Sequence, residues 1–341
     1  MEESSRSKVC VTGAAGNLGS WLVKKLLEQG HTVHATLRNL DEPSKIGRLK
    51  NLPGADTRLQ LLEAEIYDVD GFEPAINGCD FVFHLATPKQ HIADSSKYND
   101  TSEAAVAGVK SIVESCIRSG TVKRLIYTGS VTAASPMKED GTGFKDSIDE
   151  SCWTPLHLSF PYCGDYELAY ISSKRRAEEV ALSCCNKDKG GGLEVVSLAV
   201  GLVGGDTLLP FLPVSMESII SPITGNITCC RKFRFLQGLV GSIPLIHIDD
   251  VCEAHIFCME QPSMAGRFLC ASAYPTISKI AKHYLKNHKE FDVEKQFLEG
   301  PEKGIGCGTT KLIDLGFEYK HDMERILDDS VECARKIGVL N

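Results

Sequence analysis

A glycine-rich segment close to the first residue constrains the fold more than any other feature of the sequence. The apolar run Val9–Thr12 leads directly into Gly13-Ala-Ala-Gly16-Asn-Leu-Gly19, and an amphipathic helical pattern follows. Glycines at this spacing permit a tight turn, a close approach of the backbone to a pyrophosphate and close packing of helix on strand. The N–H groups at the helix N-terminus would bind the phosphates. The segment predicts a dinucleotide-binding loop, with cofactor contacts at Thr12, Gly13, Gly16, Asn17 and Leu18.

Short β-branched runs alternate with helical patterns over roughly the first half of the chain, which is typical of a parallel sheet covered on both faces. The predicted strands are Val9–Thr12, Thr32–Leu37, Leu59–Glu63, Phe81–Ala86, Arg124–Thr128, Glu194–Val200, Leu245–Ile248 and Arg267–Ala271. The predicted helices are Leu18–Gln29, Asp100–Ser119, Leu168–Cys185, Ile277–Asn287 and Asp322–Ile337. The sequence therefore predicts an α/β fold of the Rossmann type, a doubly wound parallel sheet.

The alternation of predicted strands and helices ends after about residue 200. Beyond this point Pro210, Pro213 and Pro222 exclude a regular βα unit. We expect residues 7–200, together with the strand region 243–272, to form an NADP-binding Rossmann domain. We expect residues 201–242 and 273–341 to form a smaller substrate-binding lobe. The substrate would then bind outside the carboxyl ends of the strands.

The composition of the chain argues against some classes of binding partner. Binding to nucleic acid or to an anionic membrane requires a basic surface, and the net charge of −8 counts against one. No apolar run is long enough to span a bilayer, and the first residues lack the apolar core of a secretory signal.

The 14 cysteines show no C-x-x-C spacing, which favours free thiols in the cytoplasm. His31 and His34 would point to opposite faces of a strand, so we expect no metal site. We expect a small-molecule substrate and a monomer or weak dimer.

The end of the second predicted strand indicates which nicotinamide cofactor the chain uses. A protein that binds NAD needs a carboxylate there for the ribose 2′-hydroxyl, whereas a protein that binds NADP needs a cation for the 2′-phosphate. The sequence places Arg38 at this point and Lys45 seven residues further on. Because a guanidinium can bind phosphate oxygens with two parallel hydrogen bonds, we expect NADPH.

A candidate catalytic set follows the fifth predicted strand. Tyr170 and Lys174 are four residues apart in a helical pattern and would share one face. A nearby ammonium would lower the pKa of the tyrosine and allow it to relay a proton. Ser130, at the carboxyl edge of the sheet, would hydrogen-bond the substrate carbonyl oxygen as negative charge builds there.

The chain resembles the extended short-chain dehydrogenases and, within them, the plant dihydroflavonol-reductase-like group. The resemblance covers nearly the whole length. It rests on Val11-Thr-Gly-Ala-Ala-Gly-Asn-Leu-Gly-Ser-Trp21, Val82-Phe-His-Leu-Ala-Thr-Pro88, Tyr127-Thr-Gly-Ser130, Asp149-Glu-Ser-Cys-Trp153, the pair Tyr170 and Lys174, Ser221-Pro-Ile-Thr-Gly-Asn226, His247-Ile-Asp-Asp250 and Asp314-Leu-Gly-Phe317. The segment Gly201-Leu-Val-Gly-Gly-Asp206 is similar to the subgroup that contains HC-toxin reductase and anthocyanidin-reductase-like members.

The resemblance implies that NADPH delivers hydride to a carbonyl, or in some members to a C=C or C=N bond, of a ring-bearing plant metabolite. Further cofactor contacts that it implies are Glu65, Ile66, Leu85, Ala86, Thr87, Thr128, Leu202 and Ser215, besides Arg38, Lys45, Tyr170 and Lys174. The substrate positions that it implies are Pro88, Ser135, Tyr166 and Pro244. Members that reduce dihydroflavonols resemble one another in an asparagine and a glutamine where this chain has Ser135 and Pro244. The loss of both amides disfavours dihydroflavonols as substrates.

Two other functions share parts of this pattern. An NAD-dependent nucleotide-sugar epimerase or dehydratase would keep the glycine loop and the tyrosine–lysine pair, but Arg38 and Lys45 count against it. A non-catalytic NADP-sensing protein would lose the serine–tyrosine–lysine set, which is complete here. His247 could serve as a general base, but we interpret His247-Ile-Asp-Asp250 as a strand leading into a helix, with Asp249 or Asp250 as its N-cap.

Overall fold

The computed structural model of the chain describes residues 6–66, 68, 70–88, 98, 100–184 and 192–341. The strands in these ranges are β1 (Lys8–Thr12), β2 (Thr32–Leu37), β3 (Leu59–Glu63), β4 (Phe81–His84), β5 (Arg124–Ser130), β6 (Ser147–Ile148), β7 (Glu194–Val200), β8 (Leu202–Gly204), β9 (Leu245–His247), β10 (Gly266–Cys270) and β11 (Gly306–Cys307).

The helices in the same ranges are α1 (Asn17–Glu28), α2 (Pro43–Lys50), α3 (Ala55–Arg58), α4 (Glu73–Ile76), α5 (Thr101–Ser119), α6 (Asp165–Ser183), α7 (Val214–Ile219), α8 (Ser221–Thr224), α9 (Ile227–Val240), α10 (Ile248–Glu260), α11 (Ile277–Asn287), α12 (Lys311–Asp314) and α13 (Met323–Ile337). The predicted end of one helix at Cys185 lies outside the described residues.

The main sheet has seven strands in the order β10-β7-β5-β4-β1-β2-β3. The pairings of β1 with β2 and β4, of β2 with β3 and of β4 with β5 are parallel. From β1 the chain adds β2 and β3 on one side and then returns to place β4 on the other. This reversal of strand order beside β1 is the topological switch point of a doubly wound sheet. The predicted Rossmann fold is confirmed.

Local signals explain where the principal helices begin and end. Asp100 precedes α5, and its carboxylate accepts a hydrogen bond from the Glu103 backbone N–H at 2.8 Å. The same helix ends at Gly120, which has φ +66°. Asp322 caps α13 in the same way, and Gly338 ends it in the left-handed region. The carboxylates and glycines of the sequence therefore set these boundaries.

One strand is shorter than predicted. The expected strand Phe81–Ala86 ends at His84, because the backbone N–H groups of Leu85 and Ala86 both donate to Thr12 Oγ1, each at 3.1 Å. These two residues therefore leave the sheet, and their backbone is held by the side chain of β1.

The stretch 201–242 contains more helix than the prolines suggested. Pro213 immediately precedes α7, and Pro222 lies in the first turn of α8. Proline is tolerated at both positions because the first N–H groups of a helix have no partner within the helix. Asn226 caps α9 by accepting from the Cys229 backbone N–H at 3.2 Å. Pro213 and Pro222 thus mark helix starts, whereas Pro210 lies in the irregular stretch 205–213, as expected.

The chain divides into two compact units by its contacts. The first comprises residues 1–129, 176–198 and 252–267, and the second comprises residues 130–175, 199–251 and 268–341. The first unit has a core around Val82, Ile112 and Val195. The second has a core around Phe233, Leu239 and Ile326. The expected cofactor domain (7–200 with 243–272) and substrate lobe are defined by function, so they remain predictions.

Candidate active site

The glycine loop between β1 and α1 is built for close contacts. Gly13 has φ +69°, and a Cβ there would lie 3.1 Å from the backbone N and Cα of Ala86. A Cβ at Gly19 would lie only 2.3 Å from the Gly13 carbonyl oxygen. Gly16 precedes α1 without a side-chain cap, and the first turn of that helix contains no acidic residue. The loop therefore offers a helix N-terminus whose polarity suits an anion.

Thr12, the last residue of β1, forms hydrogen bonds beside this loop. Its side chain is buried, and Oγ1 lies 2.8 Å from His84 Nδ1 as well as accepting from the backbone N–H groups of Leu85 and Ala86. The hydroxyl therefore joins the ends of β1 and β4. Leu85, Ala86 and Thr87 follow β4 and are half-buried, and Pro88 is buried.

The two predicted phosphate-binding cations lie beyond β2. Arg38 directly follows that strand, its side chain is 62% exposed, and Nε lies 3.6 Å from Glu65 Oε1. Lys45 lies on α2 and forms a 2.6 Å ion pair with Glu42. Ile66 is buried against α5, where a Cβ at Gly108 would approach its Cγ1 to 2.3 Å. The structure thus brings Arg38 and Glu65 together and leaves the guanidinium accessible.

Ser130, Tyr170 and Lys174 belong to the second unit. Ser130 is the last residue of β5, and Tyr170 and Lys174 lie one turn apart on α6. Lys174 is buried, and Tyr170 is half-buried with a side-chain hydrogen bond to Ser130. The structure therefore joins at least the serine and tyrosine of the predicted set directly.

Burial raises the pKa of Tyr170, the hydrogen bond to Ser130 lowers it, and the net pKa lies above its ordinary value. The sequence led us to expect a pKa lowered by the Lys174 ammonium. The pKa is instead raised, mainly because loss of water around the phenol disfavours the phenolate. Tyr170 is consequently a protonated donor at neutral pH.

Three other cofactor positions were predicted from the sequence. Thr128 on β5 is buried, and its Oγ1 lies 2.8 Å from His255 Nε2. Leu202 on β8 and Ser215 on α7 are half-buried. Their cofactor contacts remain predictions.

The predicted substrate positions differ in accessibility. Ser135 is 1% exposed, and its Oγ donates to the Leu239 carbonyl and accepts from the Met137 backbone N–H. These bonds tie the hydroxyl to the backbone, and the expected substrate contact of Ser135 stays a prediction. Pro244 is also buried, and its carbonyl accepts from the Leu202 N–H at 2.7 Å. Tyr166 is 50% exposed.

The start of α10 differs from the expected one. The helix begins at Ile248, so Asp249 and Asp250 lie inside its first turn instead of capping it. His247 Nδ1 accepts from the Asp249 backbone N–H at 3.1 Å and takes the capping role. The Asp250 carboxylate instead accepts from the backbone N–H groups of Lys320 and His321, 3.1 and 3.0 Å away. His247 itself is buried and stacks on His321, with ring centroids 3.9 Å apart.

Among the residues that the structure describes, two groups of side chains have the chemistry of metal ligands. They are His247, Asp249 and His321, and His283, His288 and Asp328. In the first, His247 Nδ1 is already occupied by a backbone donor. In the second, Nε2 of both histidines lies 2.7 and 2.8 Å from Asp328 Oδ1. Each group is explained by its hydrogen bonds, and the absence of a metal site remains a prediction.

Sequence reasoning missed two residues beside Ser130. Thr132 donates to Ser130 Oγ from its hydroxyl at 2.9 Å and from its backbone N–H at 3.2 Å. Thr154 is fully buried, and its Oγ1 donates to the Thr132 carbonyl at 2.7 Å. A serine two residues before a threonine is a common turn signal, which could have identified Thr132. Thr154 carries no such signal.

The fold and these groups define a class, the α/β proteins with a Rossmann-type sheet that carry a serine, a tyrosine and a lysine as the extended short-chain dehydrogenases do. The chain belongs to the NAD dependent epimerase/dehydratase family, whose sequence profile matches residues 9–269. Within that family the resemblance to plant dihydroflavonol-reductase-like proteins is confirmed. In the described part of the chain, no helix is both long and apolar enough to cross a bilayer.

Full-length relatives are plant reductases. The chain is 37% identical over 333 residues to a Ginkgo biloba protein provisionally named anthocyanidin reductase, covering 97% of this chain and 95% of the relative. It is 34% identical over 343 residues to dihydroflavonol 4-reductase of Gerbera hybrida, covering 100% and 89%. The solved structure of vestitone reductase from alfalfa superposes with a TM-score of 0.79 at 31% identity, covering 98% of this chain and 100% of that one.

Proposed function

We propose that the chain is an NADPH-dependent reductase that transfers hydride to a carbonyl, or to a C=C or C=N bond, of a ring-bearing plant specialised metabolite. One observation carries the proposal. Tyr170 is a protonated phenol hydrogen-bonded to Ser130, in a chain whose full-length relatives are named as reductases.

The residues present fit a dinucleotide phosphate. Gly13 and Gly19 leave no room for side chains where the loop turns into α1, and the first turn of α1 carries no acidic residue. The exposed guanidinium of Arg38 would bind the 2′-phosphate, and Glu65 would hold its orientation. Lys45 would add a second cation. These groups support NADPH over NADH.

NADPH, when bound, supplies the hydride. The side chains of the chain supply the rest of the chemistry. As negative charge builds on the substrate oxygen, the Ser130 hydroxyl would stabilise it by hydrogen bonding. Tyr170 would transfer its phenolic proton to that oxygen and complete the alcohol. The Lys174 ammonium would stabilise the resulting phenolate and hold the nicotinamide ribose.

The substrate is inferred from the relatives and from accessible aromatic side chains. The relatives' names refer to ring-bearing flavonoids, and aromatic surface in the second unit is offered by half-buried Trp153 and by exposed Tyr162 and Phe211. Ser135 and Pro244 supply no amide for ring hydroxyls. We therefore expect a ketone or conjugated carbonyl of flavonoid bulk with fewer hydroxyls than a dihydroflavonol. We also propose a cytoplasmic monomer or weak dimer.

The test is turnover of a panel of ketones, flavonoids and imines, followed at the nicotinamide absorbance. We expect oxidation of NADPH with at least one ring-bearing carbonyl compound, a slower rate with NADH, and weak activity with dihydroquercetin. Interconversion of a nucleotide sugar without net consumption of NADPH would contradict the proposal and favour an epimerase.

A further inference from the structure

The lone pairs of the Ser130 hydroxyl are both used within the protein. A serine oxygen has one hydrogen to donate and two lone pairs to accept with. One lone pair accepts the Thr132 backbone N–H at 3.2 Å, and the other accepts the Thr132 hydroxyl at 2.9 Å. Only the Ser130 hydrogen is then left to reach a third partner.

That third partner is Tyr170, whose hydroxyl forms a side-chain hydrogen bond with Ser130. Because Ser130 has no lone pair left, it must be the donor in this bond. Tyr170 is therefore the acceptor and does not donate its own hydrogen to Ser130. The Tyr170 hydrogen is thereby kept for an external acceptor, while the Ser130 hydrogen points at the Tyr170 oxygen. A substrate carbonyl oxygen that lies between the two hydroxyls has two lone pairs and could accept both hydrogens.

Thr132 is held in place by a chain of hydrogen bonds that returns to α6. It lies in the short helical turn Val131–Ala133. Thr154 fixes this turn at two points: its Oγ1 donates to the Thr132 carbonyl at 2.7 Å, and its N–H donates to the Ala133 carbonyl at 3.1 Å. The Thr154 carbonyl in turn accepts from the guanidinium of Arg175, the residue after Lys174.

We propose that Thr132 is a positioning residue that directs the Ser130 hydrogen toward the substrate oxygen and keeps the Tyr170 proton available for transfer. The inference rests on the proposed reductase function and adds a residue that the motifs of the sequence do not include. Thr132 acts through Ser130 and need not touch the substrate. Without its hydroxyl, a Ser130 lone pair is free to accept from Tyr170, which reverses the bond between them.

The test compares Thr132→Val with Thr132→Ser in the full chain. Valine keeps the shape and the backbone N–H but removes the hydroxyl, whereas serine restores it. Thr142→Val is the matched control, because Thr142 is exposed and its hydroxyl bonds only within its own loop, to Asp140. We expect Thr132→Val to lower kcat about 5- to 20-fold with little change in the carbonyl KM, the effect of one misdirected hydrogen bond.

Rescue and binding measurements separate positioning from folding. Thr132→Ser should restore kcat to within about twofold, and the Kd for NADPH and the Tm should stay close to wild type in all three variants. A kcat for Thr132→Val equal to that of Thr142→Val, with an active wild type, would overturn the role of Thr132 alone. A wild type that reduces no compound of the panel would overturn the reductase function and the role of Thr132 with it.

Discussion

Glu178 and Arg267 form an ion pair that is closed to water. Arg267 Nε lies 2.9 Å from Glu178 Oε1, and Arg267 Nη2 lies 3.1 Å from Glu178 Oε2. The Glu178 side chain is 0% exposed and the Arg267 side chain is 5% exposed. Ser197 Oγ also donates to Glu178 Oε1, at 2.6 Å. Glu178 lies one turn beyond Lys174 on α6, so the pair anchors the helix that carries the tyrosine and the lysine.

Glu178→Gln should therefore destabilise the fold strongly. The amide keeps an acceptor for Ser197 but leaves the Arg267 charge buried without its counter-charge, which costs about 3–5 kcal/mol of unfolding free energy. Denaturation by urea measures the loss. Glu179→Gln, at the exposed neighbouring position, should cost less than about 1 kcal/mol. Equal losses in the two variants would show that the buried pair does not anchor α6.

Arg38→Asp should reverse the preference for the phosphorylated cofactor. The substitution removes a cation and places a carboxylate opposite the 2′-phosphate, so the KM for NADPH should rise far more than that for NADH. Lys50→Asp, an equal change of charge at an exposed site on α2, should leave the ratio of the two KM values close to wild type. A wild type that binds both cofactors equally well would refute the assignment of Arg38.

Tyr170→Phe should remove the proton donor and little else. We expect kcat to fall by about 10²–10⁴, the usual contribution of a general acid, with the Kd for NADPH nearly unchanged. Near-full turnover by Tyr170→Phe would exclude the proposed proton transfer.

The stability of the fold should decrease below about pH 6.5, partly because of His247. Burial, and then the nearby His321, lower the pKa of His247. The unfolded chain, in which histidine has its ordinary pKa of about 6.5, therefore takes up the proton first. Its contribution to stability is complete above about pH 6.5 and is lost as the pH falls toward the lower pKa of the folded state.

Urea denaturation between about pH 8 and about pH 5 measures this effect. His247→Asn retains an acceptor for the Asp249 N–H and removes the titrating ring, so its stability should vary less with pH than that of the wild type. A residual slope is expected, since burial also lowers the pKa of His31 and His34. An identical pH dependence in both proteins would contradict the role of His247.

Local sequence determined much of the fold but less of the site. Strand β2 was predicted to the residue because a β-branched and apolar run lies between Gly30 and Arg38. Strand β4 was predicted too long because its last two N–H groups bond to Thr12, some seventy residues earlier. The N-cap of α10 was misassigned because Asp250 bonds to Lys320 and His321, far along the chain.

The same difference between local signals and contacts far along the chain applies to the site residues. Gly13 and Gly19 were recognisable because a tight turn needs glycine whatever surrounds it. The position of Ser135 follows from a motif, but the partners of its side chain do not. Its hydroxyl bonds to the Leu239 carbonyl, a contact across more than a hundred residues that no local pattern indicates.

The most direct test of hydride transfer is the fate of deuterium from NADPH that carries deuterium in place of both hydrogens on C4 of the nicotinamide. The protein is incubated with the best carbonyl substrate of the panel, and the product is analysed by mass spectrometry and NMR. We predict one deuterium on the former carbonyl carbon of the product, and a smaller amount of this product with Tyr170→Phe, in proportion to its lower kcat. A product formed without deuterium would contradict hydride transfer and with it the reductase function.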